Sequence, residues 1–177
     1  TITGFEVAVV DISGELSRVQ MNVAPMLDFI IMPMKPEKAL VEFTLDSYHA
    51  LYNALEDEEA LEGKPFPKIA TVRSIWKKAG KNARSCQSTI DEEVKEYGYL
   101  VLDTILSPFD AYNKAAHFGV SVLDATEVGD LVDRRQAEKP AYEMGRLCKE
   151  VLVLAGLASP KMKRINPDPT VSTEGML

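Results

Sequence analysis

Apolar positions in the first 45 residues follow the spacing of an extended chain. The run from Phe5 to Val10 is rich in β-forming residues, and the turn signal Ser13-Gly14 follows it. Apolar and polar residues then alternate over positions 19–23. The apolar run Met26–Met34 is bracketed by prolines, which predicts an edge strand or an extended arm rather than a central strand. Ala39–Leu45 is a further predicted strand, with alternate apolar residues on one face.

From residue 46 onward the apolar spacing becomes helical. Asp46 is a suitable N-cap, and the apolar stripe after it predicts a helix that ends near Gly63. Apolar residues at 69, 72 and 76 predict a second helix from Lys68 to Ala79. Capping signals and prolines predict the remaining helices at 88–106, 108–119, 124–138 and 140–156.

These elements predict a mainly α fold of the α+β class. We expect a bundle of about five helices, preceded by a small N-terminal β or extended region and followed by a proline-rich C-terminal arm. The corresponding divisions are 1–45 for the extended region, 46–158 for the helical body and 159–177 for the arm. Pro160, Pro167 and Pro169 prevent this last segment from forming a packed element by itself. We therefore expect a homo-oligomer whose terminal arms contact neighbouring subunits.

The composition of the 177 residues narrows the class of protein. A hydrophobic share of 46% and a charged share of 27% are ordinary for a globular domain. No apolar stretch is long enough to cross a membrane, so we expect no membrane partner. The N-terminal residues lack the basic and apolar regions of a signal peptide. We therefore expect a location in the cytoplasm or in a virion.

Charge is distributed unevenly along the chain. The formal net charge is −7, yet no acidic residue lies between Gly63 and Ile90. We call residues 64–84 the basic segment. A local cluster of cations in an acidic protein indicates contact with a polyanion or with an acidic protein surface. Its basic residues are Lys64, Lys68, Arg73, Lys77, Lys78, Lys81 and Arg84.

On the predicted helix, the cations of the basic segment line one face. Arg73, Lys77, Lys81 and Arg84 follow each other at spacings of three or four residues, which places them along one edge. Such an edge can neutralise successive phosphates of RNA or DNA without reading the sequence. Trp76 falls on the separate apolar face and is predicted to be a core residue. The predicted nucleic-acid-binding residues are Lys68, Arg73, Lys77, Lys78, Lys81 and Arg84.

Two functional hypotheses follow from this charge pattern. The first is a structural subunit that packages nucleic acid, such as the coat protein of a virus or phage. The alternative is an adaptor or assembly protein without enzymatic activity. In that case the basic segment pairs with acidic surfaces, and the acidic run Glu56–Glu62 directly before it is the nearest such surface.

Candidate residues for catalysis are few. The chain has no glycine-rich phosphate loop, no Gly-x-Ser-x-Gly motif and no His-Glu-x-x-His motif. Cys86 and Cys148 lack metal-site or redox spacing, so we expect no metal and no cofactor. The least favoured hypothesis is a small enzyme with a site around Asp110, Tyr112 and His117. We therefore assign no catalytic residue and expect that the protein is not an enzyme.

Overall fold

The described part of the chain is an α+β molecule built on a parallel sheet. The computed structural model describes residues 7–12, 18–56, 63–77, 80–117, 119–124 and 134–157. Within these ranges, three parallel strands lie side by side in chain order: β1 (Phe29–Met34), β2 (Lys68–Arg73) and β3 (Val101–Ile105). Five helices accompany them: α1 (Arg18–Val23), α2 (Lys38–Leu55), α3 (Lys81–Tyr97), α4 (Asp110–His117) and α5 (Arg134–Leu154).

Helices cover both faces of this sheet. On one face α2 and α3 pack against each other and against the strands, with buried Met34, Leu45 and Ile90 at the centre of the core. On the other face α5 packs along β3, and its Leu147 and Val151 contact the sheet. The central strand β2 is therefore buried between two helical layers. Among the described helices, none is long and apolar enough to cross a membrane.

The chain reaches each new strand through a helix. The segments β1-α2-β2 and β2-α3-β3 are two successive βαβ units, the usual way to connect parallel strands. A parallel strand covered on both faces has an almost continuous apolar run instead of an alternating one. The β2 residues from Ile69 to Val72 fit this description, since all four are buried.

The predicted helical bundle with a small N-terminal β region is wrong. Two of the three strands, β2 and β3, lie inside the stretch that was expected to be helical. Both strands are short, with six residues in β2 and five in β3. Periodicity cannot separate a strand of this length from part of a buried helix, because five or six positions are too few to define either period.

The predicted basic helix from Lys68 to Ala79 is wrong as well. Its first half is strand β2, and the chain leaves regular structure at Ser74. The spacing of Ile69, Val72 and Trp76 suggested a helical face, but Ile, Thr and Val favour a pleated strand between two packed layers. Trp76 is buried in the core, as predicted.

Two predicted strands are helical in the structure. Residues 39–45 belong to α2, which begins at Lys38 and runs through Asp46 to Leu55. Val41, Leu45 and Tyr48 are buried together on one side, so the helical stripe starts earlier than the capping signal at Asp46 suggested. Residues 19–23 lie in α1.

The predicted helix 88–106 is divided into a helix and a strand. Helix α3 begins at Lys81 and ends at Tyr97, and it is capped by Gly98, whose left-handed φ of 72° suits glycine. Ser88 is inside this helix, and its hydroxyl donates to Glu92 at 3.2 Å instead of capping an end. The chain then enters β3. Near the C-terminus, α5 passes through Pro140 without a break, so the helix expected to begin there starts at Arg134.

Some expectations are confirmed. β1 is an outer strand of the described sheet, as the prolines around Met26–Met34 predicted. Helix α4 occupies the region predicted for 108–119. The C-terminal arm from residue 159 and residues 125–133 of the predicted helix 124–138 lie outside the described residues. The arm's role in a homo-oligomer stays a prediction.

Candidate functional site

A cleft of about 350 Å³ opens where the chain leaves β2 and β3. Ser74 and Ile75 follow β2, and residues 106–110 follow β3, so both loops lie at the carboxyl ends of neighbouring parallel strands. Tyr112 of α4 and Met144 of α5 close the sides. In open parallel sheets, ligands bind outside the carboxyl ends of the strands. The cleft therefore lies at the edge where this architecture most often places a site.

The walls of the cleft are mainly apolar. Ile75, Leu106, Pro108, Phe109 and Met144 provide most of the lining surface. The Phe109 and Tyr112 rings lie 6.3 Å apart at 42°, which leaves aromatic surface beside the opening. Such walls suit a planar, apolar group, while the few polar side chains orient it.

Two serine hydroxyls in the cleft already donate their protons. Ser107 Oγ donates to Glu143 Oε1 at 2.7 Å, and the Ser107 backbone N–H donates to Glu143 Oε2 at 2.7 Å. Ser74 Oγ donates to the carbonyl of Met34 at 3.3 Å. A hydroxyl has one proton and two lone pairs. Both serines can therefore only accept hydrogen bonds from a ligand.

Tyr112 is held in its neutral form. Its hydroxyl donates to the carbonyl of Pro140 at 3.2 Å. Burial, together with the nearby negative charge of Glu143, raises the pKa of Tyr112 to about 12. The phenol consequently stays protonated at neutral pH and adds no charge to the cleft.

Ile75 adopts a backbone conformation that β-branched residues avoid. Its φ is 55°, and it alone among the described non-glycine residues has a positive φ. This conformation costs about 1–3 kcal/mol, and such residues cluster at binding sites. Ile75 is held in place because its neighbours are fixed: Ser74 N–H donates to Met34 and Trp76 N–H donates to Leu106. The strained residue thus lines the cleft between two anchored neighbours.

An irregularity in β3 positions the loop that forms the cleft. The pairing of β2 with β3 shifts between Thr71 and Arg73, so Leu102–Thr104 leave the regular ladder. Arg73 Nη2 donates to the carbonyl of Leu102 at 2.9 Å and reaches that of Asp103 at 3.4 Å. Glu150 of α5 accepts the N–H groups of Asp103 at 2.5 Å and Thr104 at 3.0 Å. The two side chains satisfy the backbone groups that the irregularity releases.

The predicted nucleic-acid-binding residues do not form one face. Lys68 starts β2 and its ammonium donates to the carbonyl of Leu154 at the end of α5. Arg73 is half-buried and bonds to Gln87 at 3.0 Å as well as to β3. Lys77, Lys81 and Arg84 are exposed at the end of the β2–α3 loop and in the first turn of α3. Lys78 lies outside the described residues.

The residues of the enzyme hypothesis are spread along α4. Asp110 and Tyr112 line the cleft. Asp110 also forms an exposed ion pair with Lys114, with 3.8 Å between Oδ2 and Nζ. His117 ends the helix and is exposed. Within the described ranges, no group of three His, Cys, Asp or Glu side chains could hold a metal ion.

Sequence reasoning missed the residues that shape the cleft. Ser107 directly precedes the helix predicted for 108–119, but its hydroxyl bonds to Glu143, 36 positions away. One usable signal was present: Glu143 and Glu150 are seven residues apart, on one side of a helix that otherwise presents apolar residues to the sheet.

Similarity to known proteins gives no further guide to function. No known protein-family model matches this chain. No curated protein matches its sequence.

Proposed function

We propose that this chain binds a small organic molecule in the cleft at the carboxyl ends of β2 and β3. The main support for this proposal is the position of the cleft, which lies between the loops that follow two neighbouring parallel strands. Its size is within the range of small-molecule sites, and its lining is mainly apolar with a few polar groups.

The hydrogen bonds in the cleft specify the kind of ligand. The hydroxyls of Ser74 and Ser107 can only accept, and the Asp110 carboxylate is an acceptor as well, while the Asn113 carboxamide can both accept and donate. Acceptors therefore outnumber donors among these side chains, which favours a ligand that brings N–H or O–H donors. The apolar walls favour a planar ring. The expected ligand class is a planar, neutral or cationic molecule with at least one N–H donor.

A small panel of compounds tests this proposal. We would titrate 2-aminopyridine and indole against 2-methylpyridine and benzofuran, which keep the ring shape and lack the N–H donor. By saturation-transfer NMR, we expect 2-aminopyridine and indole to bind, and 2-methylpyridine and benzofuran to bind more weakly. Binding that is the same for both members of each pair would contradict the proposed role of the serines.

A cleft-filling variant locates the binding. Met144→Trp places a large side chain in the cleft, whereas Met26→Trp makes the same change at an exposed position outside it. We expect Met144→Trp to weaken binding by at least about ten-fold, equivalent to ~1.4 kcal/mol, and Met26→Trp to leave it unchanged. Failure of the whole panel to bind the wild-type protein at millimolar concentration would refute the proposal.

The packaging hypothesis is a second candidate, and one observation favours it. Lys77, Lys81 and Arg84 are exposed close together in sequence, although Lys68 and Arg73 bond within the chain. The test is the triple variant Lys77→Gln, Lys81→Gln, Arg84→Gln, measured against a mixed-sequence single strand across a salt series. Its salt slope should shrink by roughly 0.7 to 0.9 per lost phosphate contact. A negligible wild-type affinity would exclude this function and leave the adaptor alternative for the same residues.

A further inference from the structure

The outer edge of β1 carries unused backbone hydrogen-bonding groups. Lys68 N–H donates to Asp28 and Ser74 N–H donates to Met34, so the even-numbered residues of β1 direct their backbone groups toward β2. The odd-numbered residues, Phe29, Ile31 and Pro33, therefore direct theirs outward. Among the described residues, no strand pairs with this side. The outer edge offers three carbonyls and the N–H groups of Phe29 and Ile31, since proline has none.

A second segment of the chain has the composition of a missing strand. Residues 7–10 read Val-Ala-Val-Val, and no backbone hydrogen bond joins 7–12 to another described residue. Val7, Val9 and Val10 are 51%, 91% and 52% exposed. A run that is apolar on both faces is typical of a parallel strand buried between two layers. Leaving it in water exposes three β-branched side chains.

The connection between this segment and β1 fits a further βαβ unit. Residues 11–28 separate them, which exceeds the dozen residues that a parallel crossover needs. The connection contains α1, whose Met21 packs against the core that α2 and α3 cover. A strand outside β1, connected through a helix on that same face, has the same hand as β1-α2-β2 and β2-α3-β3.

We infer that residues 7–10 dock on the outer edge of β1 of the same chain as a fourth parallel strand. The occupant is the chain's own segment rather than a second copy, because a short connection keeps its local concentration high. Docking covers Ile31, which is 39% exposed on the edge strand. It also extends the carboxyl edge of the sheet by one strand.

Hydrogen exchange at alternate amides tests this inference. In the 177-residue chain, the Ile31 amide faces outward, while those of Ile30 and Met32 face β2 and serve as internal controls. The variant Val9→Pro removes an N–H and the strand geometry, and Val9→Ile keeps both. Because residues 7–12 make no backbone bond to the described body, neither variant should disturb the fold.

The expected result is slower exchange at Ile31 in the wild type and in Val9→Ile than in Val9→Pro, by about ten-fold or more. Ile30 and Met32 should exchange equally in all three proteins, and the protection of Ile31 should not depend on protein concentration. Equal exchange at Ile31 in all three would overturn the inference. Protection of Ile31 that grows with protein concentration and accompanies a dimer mass would also overturn it, because the strand would then come from a second copy.

Discussion

Glu143 and Ser107 form a two-point contact that fixes the loop after β3 to helix α5. Both carboxylate oxygens of Glu143 accept hydrogen bonds from one residue, from its backbone N–H and from its hydroxyl, each at 2.7 Å. Hydrogen bonds to a charged acceptor are stronger than neutral ones. This contact holds one wall of the cleft against the helix that carries the opposite wall.

Removing this carboxylate should destabilise the protein. We expect Glu143→Ala to lower the free energy of unfolding by about 1–3 kcal/mol, because two donors of Ser107 lose their acceptor. Glu138→Ala, an exposed change on the same helix, should stay within about 0.5 kcal/mol of the wild type. Urea denaturation of the three proteins measures the difference. Equal changes in the free energy of unfolding for Glu143→Ala and Glu138→Ala would show that the Glu143–Ser107 contact does not stabilise the fold.

The guanidinium of Arg73 should be irreplaceable by an ammonium. Arg73→Lys keeps the charge and loses the fork that reaches Gln87 and Leu102 together, so we expect a loss of about 1–2 kcal/mol. Arg84→Lys, at an exposed site, is the matched control and should be neutral. Thermal unfolding compares the two. A neutral Arg73→Lys would indicate that β3 keeps its irregularity without this side chain.

Glycine should have opposite effects at two isoleucines. Ile75→Gly relieves a left-handed backbone conformation, so we expect a gain of up to about 1 kcal/mol in the free energy of unfolding. Ile31→Gly, in the extended chain of β1, should instead cost about 1 kcal/mol or more. Chemical denaturation gives both values. A loss of stability at both positions would mean that the Ile75 side chain contributes more by packing than its backbone costs.

Tyr112 should make the protein sensitive to alkaline pH. Its pKa is raised to about 12 in the folded state, above the ordinary value of 10.0, so the unfolded state loses its proton first as pH rises. The stabilisation is complete below pH 10 and declines between pH 10 and about 12. Tyr112→Phe should show a shallower decline over this window than the wild type, whereas Tyr142→Phe, at an exposed position, should follow the wild type. The measurement is the urea unfolding midpoint of the wild type and both variants at several pH values across this window.

The sequence allowed some elements to be predicted and concealed others for physical reasons. The prolines around β1 indicated an outer strand of the described sheet, because a proline such as Pro33 removes the ladder donor at its own position. β2 was concealed because a strand buried on both faces loses the alternation that identifies it. β3 does alternate, with Leu102 and Thr104 buried and Asp103 exposed, but five residues are too few to distinguish it from part of a helix. The periodicity of Ile69, Val72 and Trp76 then suggested a helix in which Arg73 would face solvent.

The cleft could not be predicted because its residues meet only through the fold. Ser107 and Glu143 are distant in sequence, and Ile75 is an unremarkable residue until its backbone angle is known. The basic segment was visible in the sequence, but the roles of its residues depend on which positions belong to the sheet. Lys68 and Arg73 lie in β2 and bond within the chain. The residues that follow β2 are exposed, namely Lys77, Lys81 and Arg84.

The most direct test of the proposed site is a map of amide chemical-shift changes during titration with 2-aminopyridine. We expect the largest shift changes at Ser74, at Ile75 and at residues 106–113, together with a change at Met144 on the facing helix α5. They should vanish in Met144→Trp and persist in Met26→Trp. Shifts confined to Lys77–Arg84, or spread over the far end of the sheet around Tyr97 and Tyr99, would contradict a binding site at the carboxyl ends of β2 and β3.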